Sequence, residues 1–488
     1  MKLSDLVKGM LVENGIRALD PIVLGITHDS RKVQKGYLFV ALKGQSFNGN
    51  HFVAQAIEKG CVGVVSEEEI PVPPEIALLV IRNLRFSMAQ LAKRFHSYPN
   101  QSLKLIGITG TNGKTTTTTL VQQILSLSGH PCGLIGTVQN ITGGVSMESI
   151  RTTPESTDLF SGIKQSFESG DRYVSVEVSS IGLEMSRVEG ARFAVGAFTN
   201  LTHDHLDFHG DMETYFSSKA RLVRQSDKFI ANADDPYGQR LKAMVPLLTL
   251  GINNEADYRI SGLRLTPTNT EFDFNTPKGS FFFRSPLIGT FNVYNLGFAL
   301  AIYSELGLDL VGLQPILDQL VGAKGRFEKI KIVDSQPYGI LVDYAHTPDA
   351  LKKICTEGKK LVPSGSRLHV LFGCGGNRDR TKRPAMAKIV SNYADVIWHT
   401  SDNPRDEDAE GILNDAAAGL DPVKLNNSSI YHRIQDRSQA VALAIANLCP
   451  GDLLIMAGKG HESYQEIKGV KHPYSDRGCA EYNLRKRL

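Results

Sequence analysis

Short apolar runs separated by polar turns recur along the chain. The runs LKLIGIT, YVSVEVSS, FAVGAFTN and KFIANADD alternate with helix-like segments, and beyond GAKGRFEKI the runs GILVDYAHT, RLHVLFGCGG, DVIWHTSDNP and DLLIMAGKG continue the alternation. This alternation predicts βα units, which assemble into parallel sheets covered by helices. We therefore predict an α/β protein whose ligands bind beyond the carboxyl ends of its strands.

The first hundred residues follow a different pattern. The apolar runs GYLFVAL, CVGVVSE and IALLVI mix with the helix-like SMAQLAKRF, and a polar stretch, HSYPNQS, is typical of a linker. The N-terminal MKLSDLVKGMLVENGI predicts an amphipathic helix instead of a signal peptide, because charges interrupt its apolar positions. A chain of 488 residues is too long for one core. We predict three domains, over residues 1–100, 101–330 and 331–488.

Composition and charge narrow the class of protein. The 54 basic and 51 acidic side chains nearly balance, which gives no support for nucleic-acid binding. No run approaches the roughly 20 apolar residues of a membrane span, so we expect no membrane insertion. The six cysteines are scattered without metal-binding spacing. We interpret them as reduced thiols and expect a cytoplasmic protein.

The segment LKLIGITGTNGKTTTTTLVQQIL is the strongest chemical signal. An apolar strand leads into a Gly-rich loop, and a helix is predicted from Lys114 to Ser128, closed by Gly129. Such a loop turns its amides toward a phosphate, while lysine neutralises the terminal phosphates and Thr115 can ligate Mg²⁺. The strict loop pattern has glycine where this chain has Ile108, and a chance match on a surface turn is the alternative. The predicted phosphate-binding residues are Gly110, Thr111, Asn112, Gly113, Lys114, Thr115 and Thr116.

The stretch TGTNGKTTT resembles the Mur ligase family, which also includes the folylpolyglutamate synthases. The resemblance extends over nearly the whole chain. It implies an N-terminal domain that binds a UDP-linked substrate, a central ATP-binding domain and a Rossmann-like C-terminal domain that binds an amino acid. The implied reaction is ATP-dependent amide-bond formation.

A magnesium site is predicted beside the phosphate loop. Glu177 ends an apolar run, where a carboxylate is costly unless a cation pairs with it, and FTNLTHDHLDFHGD is rich in His and Asp. A hydrogen-bonded loop with solvated histidines remains the alternative. The resemblance implies that Thr115, Glu177 and His205 hold the metal. It also implies that Lys219, otherwise an ordinary helix lysine, reacts with CO₂ to give a carbamate ligand.

On the substrate side the residues alone indicate only ordinary turns. The resemblance implies contacts to the UDP-linked substrate from Ser30, Gln45, Ser46, Phe47, Thr152, Thr153, Ser179 and Arg187. Ile181 and Met185 depart from the residues usual in close relatives, and this puts details of substrate contact in doubt. For the nucleotide, the resemblance implies contacts from the GTFNVYNLGF motif, the second linker and DYAHTP, through Asn292, Asn295, Arg326, Asp343 and His346. Capping asparagines and a solvated linker arginine are the alternatives.

Four strands near the C-terminus end in loops rich in charge: DYAHTPDA, GCGGNRDRTKRP, SDNPRDED and AGKGHESY. Parallel strands bring these loops to one crevice, where arginines could bind carboxylates and acids could bind ammonium groups. Salt bridges without a ligand are the alternative. The predicted pocket residues are Arg378, Asp402, Asn403, Pro404, Arg405, Gly458 and Glu462. Asn377 stands where aspartate is common in the family.

The tetrapeptide DNPR identifies the branch of the family. The resemblance implies that Arg405 faces the extra carboxylate of meso-diaminopimelate. Lysine-adding relatives generally lack this arginine. The implied substrates are therefore UDP-N-acetylmuramoyl-L-alanyl-D-glutamate and meso-diaminopimelate, joined through an acyl phosphate in peptidoglycan precursor synthesis. We expect a monomer. A folylpolyglutamate-synthase-like ligase and a non-enzymatic nucleotide-binding regulator are the competing hypotheses.

Overall fold

The computed structural model describes residues 1–13, 19–44, 48–98, 102–266, 269–333 and 335–487. By its internal contacts the chain divides into two compact units. The first unit holds residues 1–262, 272–283 and 294–318, and the second holds residues 263–271, 284–293 and 319–488. Within these described ranges no helix is both long and apolar enough to span a membrane.

The N-terminal part of the first unit carries a sheet in the order β1-β2-β3-β4, and all of its neighbouring strands are parallel. Its strands are β1 (Gly25–Thr27), β2 (Tyr37–Val40), β3 (Gly63–Ser66) and β4 (Ala77–Val80). Its helices are α1 (Leu3–Leu6), α2 (Val53–Glu58) and α3 (Leu84–Phe95).

The prediction of a long N-terminal amphipathic helix was wrong for the residues described there. Only the single turn α1 forms; Val7 follows it, and Gly9 has a left-handed φ of 75°. Leu3 and Leu6 already bury their side chains completely, so one turn is enough to place the apolar residues of this segment in the core. Isolated short helices are marginal, and tertiary packing decides their length.

The large central sheet has the strand order β15-β14-β13-β12-β11-β10-β5-β9-β6-β7-β8. The run from β6 to β13 is parallel, whereas β7 and β8 add antiparallel strands at one edge. Its strands are β5 (Lys104–Thr109), β6 (Cys132–Ile135), β7 (Gln139–Thr142), β8 (Val145–Glu148), β9 (Tyr173–Glu177), β10 (Phe193–Phe198), β11 (Ser226–Asn232), β12 (Leu248–Gly251), β13 (Tyr258–Leu265), β14 (Thr270–Thr276) and β15 (Gly279–Ser285). The accompanying helices are α4 (Lys114–Leu127), α5 (Ser156–Glu168), α6 (Ser180–Glu184), α7 (Leu206–His209), α8 (Met212–Arg224), α9 (Pro236–Met244), α10 (Thr290–Glu305) and α11 (Gln314–Leu317).

The C-terminal sheet has the order β16-β17-β21-β18-β19-β20, and only β16 is antiparallel to its neighbour among the described pairs. A separate hairpin pairs β22 with β23. The strands are β16 (Glu328–Lys329), β17 (Gly339–Asp343), β18 (Leu368–Phe372), β19 (Val396–His399), β20 (Tyr431–Arg433), β21 (Leu453–Ala457), β22 (Tyr464–Ile467) and β23 (Val470–Pro473). The helices are α12 (Pro348–Leu361), α13 (Lys382–Tyr393), α14 (Ala409–Ala417), α15 (Pro422–Leu425), α16 (Arg437–Asn447) and α17 (Asp476–Arg487).

Buried strands explain the placement of the functional loops. In β5 the side chains of Leu105, Ile106 and Ile108 are at most 1% exposed. Ile108 therefore belongs to the core, and the Gly-rich loop begins only after Thr109. Because β9, β5, β10 and β11 are parallel neighbours, the segments that follow them emerge at the same edge of the sheet. In the second unit β17, β21, β18 and β19 have the same arrangement.

The six cysteines are free thiols, as predicted. The α/β class is confirmed as well, with parallel sheets that dominate both units.

Candidate active site

Two glycines allow the phosphate loop to approach its neighbours closely. At Gly110 (φ 149°) a Cβ would lie 1.9 Å from Oγ1 of Thr199, and at Gly113 (φ 87°) a Cβ would lie 2.5 Å from Oδ1 of Asn295. Both positions therefore exclude larger residues. The amides of Thr111 and Asn112 are fixed by Asn200, at 2.8 Å to its carbonyl oxygen and 2.9 Å to its side-chain Oδ1.

Lys114 opens α4 directly after this loop, as predicted. Its ammonium donates to the carbonyl oxygens of Gly110 and Thr111, each at 2.9 Å. The charge is therefore held over the loop, at the amino end of a 14-residue helix whose exposed amides favour anions. Gly113 caps this helix and provides no side chain that would cover the amides.

Glu177 lies at the end of β9 and is 1% exposed. Its Oε2 accepts hydrogen bonds from the Thr115 hydroxyl at 3.0 Å and the Thr137 hydroxyl at 2.9 Å, and its Oε1 accepts from the Thr137 amide at 2.8 Å. A hydroxyl and a carboxylate are thus adjacent beside the phosphate loop. Oxygen ligands of this kind suit Mg²⁺, which typically takes one or two protein ligands and completes its shell with phosphate and water.

Lys219 and His205 lie on another side of the loop, around Tyr215. Lys219 on α8 is 1% exposed; its Nζ lies 2.8 Å from the Gly110 carbonyl oxygen and 4.6 Å from the centre of the Tyr215 ring. Burial, followed by the charge of Lys114, lowers the pKa of Lys219 well below its usual value. The amine is thus shifted toward the neutral form that can react with CO₂.

His205 precedes α7 and is about half exposed, with its ring 6.1 Å from that of Tyr215. Partial burial lowers the pKa of His205, and Asp204 opposes this effect. A lowered pKa favours the neutral imidazole that binds metals. In the part of the chain that the structure describes, no group of three or more His, Cys, Asp and Glu side chains is placed to hold a metal ion.

The predicted substrate residues Thr152, Thr153, Ser179 and Arg187 lie close to Glu177. The Thr137 and Thr152 hydroxyl oxygens lie 3.0 Å apart. Because Thr137 donates its single proton to Glu177, it accepts from Thr152, and this bond links the substrate side to the carboxylate. Thr153 donates to the Glu177 carbonyl oxygen at 2.8 Å and accepts from the Ser179 amide at 3.0 Å.

Arg187 is held by the same segment. It donates to the Thr153 carbonyl oxygen at 3.1 Å and pairs with the buried Glu155 at 2.8 Å. Glu155 also pairs with Arg85 and Arg151. One buried carboxylate thus meets three guanidinium groups, and this leaves an excess of positive charge suited to an anionic substrate.

The other residues predicted to bind the UDP-linked substrate are not part of the group around Glu177. Ser30 begins a 3₁₀ turn and donates to Gln55 Oε1 at 2.7 Å. Gln45, Ser46 and Phe47 lie outside the described residues. Ile181 and Met185, the two departures, lie within and directly after α6, and both are half-buried.

In the second unit the loops after β19 and β21 form a cluster of charges. Asn403 donates to Glu462 Oε2 at 2.9 Å, and the backbone at Gly458 packs so closely that a Cβ there would lie 2.4 Å from Asp402 Oδ2. Asp402 is 8% exposed, and burial raises its pKa, opposed by Arg437 and Lys459. The structure therefore brings together four of the residues predicted for the amino-acid pocket.

Arg405 has a strained backbone, with a φ of 53°. Its amide donates to the Glu466 carbonyl oxygen at 3.0 Å, and its guanidinium donates to Glu466 Oε2 at 3.2 Å and to the Gly376 carbonyl oxygen at 2.7 Å. Left-handed backbone costs a non-glycine residue about 1–2 kcal/mol, and such strain is concentrated at functional sites. Arg378 lies near, with its Cγ 3.8 Å from a Cβ placed at Gly375, where Arg405 Nη1 lies at 3.2 Å.

The residues predicted to bind the nucleotide from the second unit surround Tyr344. Arg326 stacks over its ring at 4.8 Å, and His346 Nδ1 lies 2.7 Å from its carbonyl oxygen. Asp343 accepts from the amides of Phe327 and Ala345, each at 2.7 Å, and burial raises its pKa. On α10, Asn295 accepts from the Thr117 hydroxyl at 3.2 Å, whereas the Asn292 amide donates to the Ile288 carbonyl oxygen at 2.9 Å.

Comparison with known proteins gives the family. The model for the Mur ligase middle domain matches residues 108–303, that for the glutamate ligase domain of Mur ligases matches 325–460, and that for the Mur ligase family catalytic domain matches 23–96. The chain belongs to the Mur ligase family. The predicted family, its three-domain architecture and its activity as an ATP-dependent amide ligase are thereby confirmed. The domain boundaries near residues 100 and 330 stay a prediction.

Named relatives extend over the whole chain. A UDP-N-acetylmuramoyl-L-alanyl-D-glutamate--2,6-diaminopimelate ligase from Synechococcus elongatus is 40% identical over 96% of this chain and 95% of its own length. A solved structure of a ligase with the same name is 34% identical, with a TM-score of 0.69 and 95% of each chain covered. A folylpolyglutamate synthase from Mycobacterium tuberculosis is 16% identical over 77% of this chain and 92% of its own, with a TM-score of 0.59, and shows the fold alone.

Sequence reasoning missed several residues of this Mur ligase. Thr137 fixes both oxygens of Glu177 but lies in an antiparallel turn region without a recognised motif. Tyr215 has its ring 4.6 Å from Lys219 Nζ and 6.1 Å from the His205 ring, yet a buried tyrosine on a helix is indistinguishable from a core residue in the sequence. Lys459 lies between two glycines of AGKGHESY, and that position was the available signal.

Proposed function

We propose that this Mur ligase joins meso-diaminopimelate to UDP-N-acetylmuramoyl-L-alanyl-D-glutamate, coupled to the cleavage of ATP to ADP and inorganic phosphate. The observation that carries the proposal is the strained Arg405 in the same tetrapeptide as Asp402 and Asn403, with Asn403 bonded to Glu462, in a chain that also has a phosphate loop followed by Lys114. Arginine suits a carboxylate, and acidic side chains suit ammonium groups, so the cluster matches an amino acid with additional charges. The relatives at 40% identity carry the name of this activity.

In this proposal the triphosphate lies against the loop and the helix start at residues 110–116, a loop whose Thr111 and Asn112 amides are held by Asn200. Lys114 neutralises charge at the terminal phosphates, and Asn295 supports the loop from α10. Asn292, Arg326, Asp343 and His346 are assigned to the remaining parts of the nucleotide. Phosphoryl transfer depends mainly on position and charge compensation, and these residues supply both.

Mg²⁺ fits the donors present. The Thr115 hydroxyl and the Glu177 carboxylate lie 3.0 Å apart beside the loop and would hold the ion, with His205 as a further ligand. When bound, the metal compensates negative charge on the phosphates. Lys219 is proposed to carry a carbamate derived from CO₂, because its lowered pKa favours the reactive neutral amine.

The UDP-linked substrate is assigned to Ser30, Gln45, Ser46, Phe47, Thr152, Thr153, Ser179 and Arg187. The Arg187 guanidinium, held by Glu155, suits a carboxylate of the dipeptide. Thr152 is connected to Glu177 through the Thr137 hydroxyl, so a residue assigned to the UDP-linked substrate and a proposed metal ligand belong to one hydrogen-bonded set of side chains.

The reaction then has two steps. A γ-carboxylate oxygen of the D-glutamyl residue attacks the γ-phosphorus of ATP, the bond to the ADP oxygen breaks, and an acyl phosphate forms. An amino group of diaminopimelate attacks the acyl carbon, inorganic phosphate leaves, and the amine loses a proton. No covalent intermediate with the protein is needed. The residues Arg378, Asp402, Asn403, Pro404, Arg405, Gly458 and Glu462 are assigned to the diaminopimelate pocket.

The competing hypotheses have less support. A folate substrate is disfavoured because the likeness to a folylpolyglutamate synthase extends to the fold alone, and a purely regulatory protein is disfavoured because the chain belongs to a family of ligases. We also propose a cytoplasmic monomer that binds no nucleic acid.

Product formation tests the proposal. The purified protein is supplied with ATP, Mg²⁺ and UDP-N-acetylmuramoyl-L-alanyl-D-glutamate, together with meso-diaminopimelate, L-lysine or no amine. We expect ADP and the amide product with diaminopimelate, little with lysine, and neither product with Lys114→Ala. Arg405→Ala should raise KM for diaminopimelate by on the order of a hundredfold, since it leaves a desolvated carboxylate unpaired. Equal use of lysine and diaminopimelate by the wild-type protein would contradict the proposed specificity.

A further inference from the structure

Lys459 is a charged side chain that is completely buried beneath the proposed amino-acid pocket. It follows β21 in the loop between Gly458 and Gly460, and its side chain is 0% exposed. A buried ammonium is costly unless it is paired and hydrogen-bonded. The contacts that compensate this cost therefore indicate what the residue stabilises.

Two of the proposed pocket residues supply those contacts. The Lys459 ammonium donates to Glu462 Oε2 at 2.6 Å and to Asn403 Oδ1 at 2.8 Å. Asn403 Oδ1 also accepts from the Glu466 amide at 2.9 Å, and Asn403 Nδ2 donates to Glu462 Oε2 at 2.9 Å. Lysine has donors only, so this geometry fixes which atom of the Asn403 amide is oxygen.

The same bonds leave one carboxylate oxygen available. Glu462 Oε2 accepts from both Lys459 and Asn403, whereas Oε1 accepts no hydrogen bond from the described residues. The Glu462 side chain is 15% exposed, in contrast to Lys459. An ammonium group in the pocket could therefore bind Glu462 Oε1, while Oε2 of the same carboxylate is held by Lys459 and Asn403.

We propose that Lys459 is a positioning residue for the amino-acid substrate: it fixes Glu462 and Asn403 so that Glu462 Oε1 binds an ammonium group of that substrate. The inference rests on the proposed function, because it takes the pocket to bind diaminopimelate. Lys459 has no contact with the substrate itself and acts through Glu462. Without Lys459, the Glu462 carboxylate and the Asn403 amide would become ordered only when the substrate binds, and this ordering would reduce the binding free energy.

The test is steady-state kinetics of Lys459→Met, with Lys459→Gln as a milder variant that keeps an amide donor. Lys388→Met, an exposed lysine on α13 of the same unit, is the matched control. We expect Lys459→Met to raise KM for meso-diaminopimelate by about tenfold to a hundredfold, as for loss of a hydrogen bond to a charged group. KM for ATP and for the UDP-linked substrate should stay unchanged, and Lys459→Gln should lie between wild type and Lys459→Met.

A double-variant cycle with Glu462→Gln separates positioning from general stability. If Lys459 acts through Glu462, the double variant should have no higher KM for diaminopimelate than the worse single variant. Additive effects, or an unchanged KM in either folded Lys459 variant, would overturn the inference alone. A wild-type protein that forms no amide product would overturn the proposed function and this inference with it.

Discussion

Gly113→Ala should damage nucleotide binding through a collision whose size the structure gives. Alanine at a φ of 87° pays about 1–2 kcal/mol for left-handed backbone. Its Cβ would also lie 2.5 Å from Asn295 Oδ1. An ordinary contact is about 3.5 Å, so the loop or Asn295 must move by about 1 Å. A displacement of about 1 Å near the reacting groups costs on the order of a hundredfold in rate.

The other end of the same helix offers a matched control. Gly129 follows α4 with a φ of 82°, and a Cβ there would meet no heavy atom within 4 Å. Gly129→Ala thus introduces the backbone strain without the collision. Urea denaturation should show a loss of about 1–2 kcal/mol for Gly129→Ala and a larger loss for Gly113→Ala. In an ADP-release assay at varied ATP, only Gly113→Ala should raise KM for ATP or lower kcat.

Wild-type kinetics in folded Gly113→Ala would refute the argument from close approach, and equal kinetic damage in both variants would show that backbone strain alone is responsible.

Three further predictions concern buried charges. Removal of dissolved CO₂ should lower activity and added bicarbonate should restore it, because the lowered pKa of Lys219 favours carbamate formation. Lys219→Arg should be inactive with or without bicarbonate. Wild-type activity that does not depend on bicarbonate would exclude the carbamate. Asp402→Asn should weaken diaminopimelate binding yet stabilise the fold at neutral pH. The folded-state pKa of Asp402 is raised above its usual 3.8, so its ionisation lowers the free energy of unfolding, and this loss vanishes as pH falls below the unfolded-state pKa. Urea titrations at several pH values should therefore show that the stability difference between Asp402→Asn and wild type shrinks in acid. Asp476→Asn should cost about 3–5 kcal/mol in urea denaturation, because it leaves the fully buried Arg437 without its carboxylate partner at 2.6 Å; a loss below about 1 kcal/mol would contradict the importance of this pair.

Arg437 also explains how the pocket loops are supported. Its guanidinium donates to the carbonyl oxygens of Ser401 and Ala457, which lie directly before Asp402 and Gly458. The ion pair with Asp476 thus lies beneath both loops of the proposed amino-acid pocket. Loss of stability in Asp476→Asn should therefore be accompanied by weaker binding of diaminopimelate.

The apolar pattern predicted the parallel core closely because long-range packing and local pattern agree there. Helix α4 begins at Lys114 as predicted and ends at Leu127, one residue early, with Gly129 in left-handed conformation beyond it. The strands that carry Glu177 and Asp343 end at those residues. A buried parallel strand is a nearly continuous apolar run, and in both strands the first charged residue marks the end.

The pattern failed where pairing or burial is decided by distant residues. The edge strands β7 and β8 are half-buried and exposed, respectively, and carry no apolar run that would announce them. The N-terminal helix stopped at Leu6, although its periodicity continued. In the sequence, Lys459 could not be distinguished from a surface lysine. One of its buried hydrogen bonds is to Asn403, which lies 56 residues away in the chain.

The central claim is that a carboxylate of the UDP-linked substrate is activated as an acyl phosphate before the amine attacks. The most direct measurement places a heavy oxygen isotope at both oxygens of the γ-carboxylate of the D-glutamyl residue and follows the label by mass spectrometry during turnover with meso-diaminopimelate. The account predicts that one labelled oxygen appears in inorganic phosphate for each amide formed. Inorganic phosphate without label, together with normal amide formation, would contradict it.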